Sequence, residues 1–326
     1  MQVTNPLPNC LKAHGEPLLR AVLRSQTSDF QVLENLGWEL SGDGEHDFLF
    51  IEKEGNNTEW VAQRLAQFAG VPEKDIGFAG MKDRHAITRQ WFSVPRWNKP
   101  DWGVFAEEGV RILEVGRHLR KLKRGAHDTN SFKIVLRHAE PIDELAVTER
   151  IERIRTLGVP NYYGEQRFGR GGSNIGLADA WAKGKRLSRN KRSIAISTVR
   201  SYLFNETLST RVEAGTWNQL VAGDKANLDG SGSVFSVPEI DAALAERCLQ
   251  MDVHPAVDLA GEGSNVAPAH WQAALDKARV APDQRALRLR AQNLEYVFEE
   301  GALTLSFTLG RGAFATSVLR ELCHWN

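Results

Sequence analysis

Gly77-Phe78-Ala79-Gly80-Met81-Lys82-Asp83-Arg84-His85-Ala86-Ile87-Thr88-Arg89-Gln90 is the stretch on which the reading of this chain turns. Its first half is bounded by glycines and rich in small residues, which predicts a strand end or tight loop that another molecule can approach closely. From Ala86 to Val94 the pattern is extended again. A phosphate loop is excluded, because Lys82 stands five residues after Gly77, where that pattern requires a second glycine. Two readings of Asp83 compete. It is either a surface turn residue paired with Lys82 or Arg84, or a carboxylate kept ionised by those flanking cations and available as a nucleophile or base. The local pattern leaves both open.

Working outward, Asp29–Glu34 alternates as a strand and Asp47–Glu52 carries a second apolar run. Asn57-Thr58 opens an amphipathic helix with Val61, Leu65 and Phe68 on its apolar side; Thr58 is its expected N-cap and Gly70 its stop. Ser131–Arg137 alternates clearly, and Glu144–Leu157 reads as a helix closed by Gly158 and Pro160. Helical periodicity dominates from Gly164 to Leu289, strongest at Leu177–Ala182, Ala195–Val212 and Ala269–Val280, with a Gly/Asp/Ser stretch from Gly223 to Gly232. Leu303, Leu305, Phe307 and Leu309 mark a last strand, followed by a short helix from Thr316 to Leu322. Strands at both ends and helices between them predict an α+β domain interrupted by an insertion.

The 326 residues are 42% hydrophobic and 25% charged, the balance of an ordinary globular protein with a substantial core. No apolar stretch is long enough to span a bilayer. The N-terminus lacks the pattern of a secretory signal. Cys10, Cys248 and Cys323 are odd in number and scattered, which predicts neither disulfides nor a zinc site and suits a reducing cytoplasm. No His-x-x-x-His or Cys-x-x-Cys is present to seat a metal, and Gly169-Arg170-Gly171-Gly172-Ser173-Asn174 fails the dinucleotide fingerprint at Asn174. No metal and no nucleotide cofactor are therefore expected.

With 41 basic and 41 acidic residues the formal charge is zero, yet the charges are segregated along the chain. Arg117-His118-Leu119-Arg120-Lys121-Leu122-Lys123-Arg124 is one basic block, and Lys183 to Arg192, with Arg189, Lys191 and Arg192, is another. Acidic residues collect at Glu239–Glu246 and Glu295–Glu300. Either block could neutralise nucleic-acid phosphates or simply form a solvated face.

Three further phrases accompany the first: Arg117-His118 through Lys121-Leu122 to Gly125-x-x-x-x-Asn130-x-Phe132; Gly158-Val159-Pro160-Asn161-Tyr162-Tyr163-Gly164-Glu165-Gln166-Arg167-Phe168-Gly169; and Phe307-x-Leu309-x-x-Gly312-x-Phe314-Ala315-Thr316-x-Val318-Leu319-Arg320-Glu321-Leu322. Together, and in this order, the four resemble the TruD family of tRNA pseudouridine synthases over nearly the whole chain. The resemblance implies a pseudouridine synthase catalytic domain with a mainly antiparallel sheet, formed by residues 1–155 and 289–326. A mostly helical α/β domain would be inserted at 156–288. It implies Asp83 as the catalytic carboxylate, with Phe30, Asn130 and Phe314 contacting the target uridine and Arg24 as a basic residue near the site. Lys82 and Phe132 join this substrate-binding set. Three positions depart from the family's pattern: Thr27 and Ser28 before Asp29-Phe30, and Arg311 before Gly312.

The implied reaction isomerises uridine 13 of tRNA to pseudouridine, breaking the bond from C1′ to N1, turning the base and rejoining it through C5. Asp83 could add to the base, attack C1′ or abstract a ribose proton. Flipping a base from its stack costs a few kcal/mol, and an aromatic face such as Phe132 or Phe314 can return about 1–3 kcal/mol, although strand phenylalanines also serve as core. Asn130 can both donate to and accept from a pyrimidine edge, or cap the loop before its strand. The partner expected is tRNA, met by a cytoplasmic monomer without a membrane anchor. Two rivals remain at this point: a non-catalytic RNA-binding protein or chaperone, and a metal-dependent nuclease, which would need clustered carboxylates or histidines.

Overall fold

The computed structural model describes residues 7–264 and 266–325. They form two compact units. One consists of Leu18–Glu144, Gln292–Gly312 and 323–325; the other contains 7–17, the described part of Leu145–Ala291, and Ala313–Leu322. The chain runs through β1 (Leu19–Leu23), β2 (Phe30–Asn35), β3 (His46–Glu54), α1 (Thr58–Ala69), β4 (Gly77–Phe78), β5 (Ile87–Pro95), β6 (Val110–His118) and β7 (Thr129–Arg137). There follow α2 (Glu144–Leu157), β8 (Val159–Pro160), α3 (Ser173–Ala182), α4 (Arg189–Glu213), β9 (Lys225–Leu228), β10 (Val234–Ser236), α5 (Ala242–Leu249), β11 (Val253–Leu259), α6 (Ala269–Lys277), β12 (Asp283–Ala286) and β13 (Arg288–Leu289). The end of the chain adds β14 (Gln292–Glu299), β15 (Ala302–Gly310), α7 (Ala315–Leu319) and β16 (Cys323–Trp325).

The first unit is built on one ten-stranded sheet, with the order β14-β15-β7-β2-β5-β3-β6. β4 pairs with β5, and β1 joins both β7 and β16. All pairings are antiparallel except β2 with β5 and β1 with β16. Because side chains alternate across a strand, register decides which residues share a face. Leu49, Ile51 and Lys53 of β3 stand opposite Phe92, Gln90 and Thr88 of β5. Val32 of β2 stands opposite Thr88 and Phe132, and Glu34 opposite Asn130.

This face carries a core of Leu49, Ile51, Phe92 and Val94, packed against Val61, Ala62, Leu65 and Ala66 of α1. The rows then change character, ending in Lys53, Thr88 and Gln90, which are buried but polar. An apolar sheet face that turns polar while remaining buried is where a chain accommodates something other than packing.

The second unit carries a four-stranded antiparallel sheet, β10-β9-β11-β12, the short pair β8-β13, and most of the helices. Its core joins Ile175, Ala178, Ala195 and Val199 of α3 and α4 to Trp271 and Leu275 of α6. Buried Arg288 donates to the carbonyls of Cys248 and Val253 and to His254 Nδ1, tying β11 and β13 together.

The α+β class and antiparallel-rich sheet match the expectation from sequence. Several details differ. Asn57, not Thr58, is the N-cap of α1, and Thr58 is its first helical residue. Gly70 does end that helix, in the left-handed conformation at φ 64°. Helix α4 starts six residues before the periodic stretch at Ala195, so that Arg189, Lys191 and Arg192 form its first turn. Strands β6 and β14 are hidden in the sequence because each is an edge strand with exposed apolar positions, such as Val115 and Val297, that blur the alternation. Among the described residues no helix is long and apolar enough to cross a membrane.

Candidate active site around Asp83

Between β4 and β5 the chain passes through Gly80-Met81-Lys82-Asp83, and buried side chains grip the backbone of this loop at successive points. Gln90 Nε2 donates to the Gly80 carbonyl at 3.1 Å. The Thr58 hydroxyl accepts the Lys82 N–H at 2.9 Å and donates to Gln90 Oε1 at 2.9 Å. Lys53 Nζ donates to the Asp83 carbonyl at 2.8 Å and to the Asn56 carbonyl at 2.9 Å. Thr58, Gln90 and Lys53 are all 0% exposed. Thr58 is thus drawn away from helix capping, because its hydroxyl holds the loop instead.

The Asp83 side chain is fixed as firmly. Its Oδ1 accepts the backbone N–H of His85 at 3.0 Å, and its Oδ2 pairs with Arg24 at 2.9 Å. The two cations beside it in sequence face elsewhere. Lys82 Nζ donates to Glu34 at 2.6 Å and to Asn130 Oδ1 at 2.8 Å, while Arg84 donates to the Gly55 carbonyl. The expectation that Lys82 or Arg84 pairs with Asp83 is therefore corrected. A lysine and an aspartate adjacent in a loop point apart, and the cation arrives from β1's end.

Arg24 itself takes a left-handed backbone, φ 63°, uncommon for a residue with a Cβ. Its guanidinium carbon lies 4.3 Å from the centre of the Phe30 ring, so the cation spans an aromatic face and the carboxylate. Phe30 is consequently buried beneath Arg24. Phe132 is half-buried, meeting Phe30 edge-on and stacking on Phe307 with ring centres 5.5 Å apart.

Asn130 is held by Lys82, which requires its carbonyl oxygen to face the ammonium and leaves its NH₂ group to donate elsewhere. Burial lowers the pKa of nearby His127, with the positive charge of Lys82 adding to the effect and Glu34 partly opposing it. Asp83, Arg24, Phe30, Lys82, Asn130 and Phe132 thus belong to one connected set, whereas Phe314, grouped with them in the sequence reading, lies in the other unit. Glu34, Lys53, Thr58 and Gln90 join them, although the sequence reading gave none of the four a role in the site.

The model of the tRNA pseudouridine synthase D family matches residues 13–178. A protein named tRNA pseudouridine synthase D from Methylococcus capsulatus is 42% identical over 334 residues, covering 97% of this chain and 94% of its own. One of the same name from Aeromonas salmonicida is 44% identical, covering 95% and 92%. The chain belongs to the tRNA pseudouridine synthase D family. The family match takes in three of the four phrases singled out in the sequence; the fourth, at 307–322, lies beyond it. A crystal structure described as a tRNA pseudouridine synthase D from Methanosarcina mazei shares the fold at a TM-score of 0.70, with 19% identity and 95% of each chain covered.

In this TruD-family chain the remaining candidates divide between the two units. Lys121, Lys123 and Arg124 line a groove of about 730 Å³ with Lys74, Glu59 and Phe78, and Arg124 lies 3.7 Å over the Phe78 ring. Arg117, near the end of β6, and Arg120, just beyond it, are exposed. Phe314 belongs to the helical unit, where it precedes α7 and packs 6.3 Å from Tyr163. Exposed Arg189, Lys191 and Arg192 occupy the first turn of α4 in the same unit, beside the Ser188 cap.

Proposed function

We propose that this chain isomerises uridine 13 of tRNA to pseudouridine, with Asp83 as the carboxylate that acts on the nucleotide. Family membership supports the reaction class. The observation that carries the assignment of Asp83 is its setting: a partly open carboxylate, ion-paired to Arg24 at 2.9 Å, on a loop whose backbone is clamped by three buried side chains. Such a residue is pre-positioned, and a carboxylate held in place loses little freedom on reaching a transition state.

The reaction exchanges the C1′–N1 bond for a C1′–C5 bond, with N1 gaining a proton and C5 losing one; no atom is added. The chain's tasks are to admit the flipped base, stack it and present the carboxylate. Phe132 offers the half-buried aromatic edge, and Asn130 offers an NH₂ donor to a uracil carbonyl. Phe314 is included as a uridine contact on family resemblance alone. Arg117, Arg120, Lys121, Lys123 and Arg124, with Arg189, Lys191 and Arg192, supply phosphate contacts. The sheet unit is assigned the catalytic role, and the domain inserted at 156–288 forms most of the helical unit, which also takes in 7–17, 145–155, 289–291 and 313–322.

The test is to incubate purified protein with unmodified tRNA and map pseudouridine by position, in parallel with Asp83→Asn. The wild type should modify position 13 alone, and the variant should bind tRNA without converting it. Conversion by Asp83→Asn would remove Asp83 from the mechanism; product at another position would remove the assigned site.

A further inference from the structure

Of the three side chains that clamp the loop, Lys53 is the one that carries a charge. Two backbone carbonyls could be bridged by a neutral donor, without taking an ammonium out of water. Lysine is almost never fully buried unless paired, and an uncompensated buried charge is strongly unfavourable. Yet Lys53 is 0% exposed, and both of its hydrogen-bond partners are main-chain oxygens. Its cross-strand neighbours, Thr88 on β5 and Val110 on β6, are not ionisable. The charged groups it feels are Asp83, which favours the ammonium, and Lys82, which opposes it. The compensating charge for this buried lysine is thus the Asp83 carboxylate.

We propose that Lys53 is a positioning residue for Asp83: its buried ammonium holds the loop by the Asp83 carbonyl and sets a fixed positive charge beneath the carboxylate. The proposal rests on the reading of Asp83 given above. Arg24, whose side chain is partly exposed, pairs with the carboxylate itself. Lys53, 0% exposed, holds the main-chain carbonyl of the same residue instead. Burial pushes its pKa down to about 8, partly offset by Asp83 and reinforced by Lys82, so the charge is present at neutral pH and is lost in mildly alkaline solution.

Lys53→Met and Lys53→Arg, made in the full-length protein, separate this role from simple packing. Single-turnover conversion of tRNA is followed from neutral to alkaline pH, beside tRNA affinity and thermal melting. Lys53→Met should lower the rate on the order of 10²-fold, as loss of positioning does, with tRNA affinity unchanged. The wild-type rate should fall as pH rises through about 8; that fall should be absent from Lys53→Met and displaced upward in Lys53→Arg.

Wild-type conversion by folded Lys53→Met, or the same alkaline fall in Lys53→Arg, overturns the proposal. If Lys53→Met does not fold, the profile of Lys53→Arg alone decides. An active Asp83→Asn control would mean that the underlying reading has failed. A wild-type-like Lys53→Met beside an inactive Asp83→Asn sinks only this inference.

Discussion

Glu34 and Lys82 meet at 2.6 Å with their side chains 0% and 6% exposed, so neither charge has water to turn to if the other is removed. Breaking such a pair costs about 3–5 kcal/mol, whereas replacing both partners by apolar groups is often near neutral. Glu34→Leu should therefore lose stability of that size in denaturant unfolding, and Glu34→Leu with Lys82→Met should recover most of it. Activity should not recover in the double variant, since Asn130 would no longer be held with its NH₂ group free to donate. A double variant as unstable as the single one would show that packing, not charge pairing, governs the site. Asp83 and Arg24 are both legible in the sequence, Asp83 from its motif and Arg24 from the position family resemblance gives it. Glu34 and Lys53 are not, for a physical reason. A charged residue in an alternating strand reads as a solvent-facing position, and only the closing of the loop over the sheet makes these positions interior.

At the scale of elements, β4 is a two-residue strand squeezed between β5 and the basic segment that follows β6. A methyl group at Gly77 would lie 2.3 Å from Ser93 Oγ and 2.4 Å from the Leu122 carbonyl, groups that belong to those two neighbours. Ser93 also accepts the Leu122 N–H, so it cannot move aside without breaking that bond. Gly77→Ala should thus cost about 1–3 kcal/mol, the usual size of overpacking, and should lower activity by displacing the loop that follows; unchanged melting would refute the close approach.

A second junction is pH-sensitive. Asp29, buried just before β2, accepts two hydrogen bonds from Arg137 at the end of β7, and these hold its carboxyl below the usual carboxylate range. Because the folded-state pKa is depressed, this contribution to stability is complete at neutral pH and is lost as pH falls through that depressed value. Asp29→Asn should flatten the acid limb of the stability profile measured by urea unfolding; an unaltered limb would discard the junction. The elements carrying strong periodicity, β2, β3, α1, β7 and α2, are all legible in the sequence. The short strands β9, β10 and β12 are not, because three or four residues are too few to show a period within a helix-rich stretch.

Over the whole molecule, zero net charge hides a basic component that only its distribution reveals. The first turn of α4 contains Arg189, Lys191 and Arg192 and no acidic residue, although the helix dipole disfavours cations at that end by about 0.3–1 kcal/mol each. Three exposed cations kept against the dipole fit a surface that meets phosphates, since a helix N-terminus and its side chains then attract the same anion. Binding through such contacts releases counterions, so affinity for tRNA should fall steeply and linearly on a plot of log affinity against log salt. Replacing Arg189, Lys191 and Arg192 together by Gln should make that slope shallower by about 2–3, near one unit for each phosphate that is no longer neutralised. The same triple change should leave the single-turnover rate at saturating tRNA close to wild type, because none of the three lies in the unit that carries Asp83. A slope that does not change in the triple variant would show that the first turn of α4 takes no part in holding RNA, and would leave Lys183, Lys185 and Arg186 before it and the segment from Arg117 to Arg124 as candidates for phosphate contact.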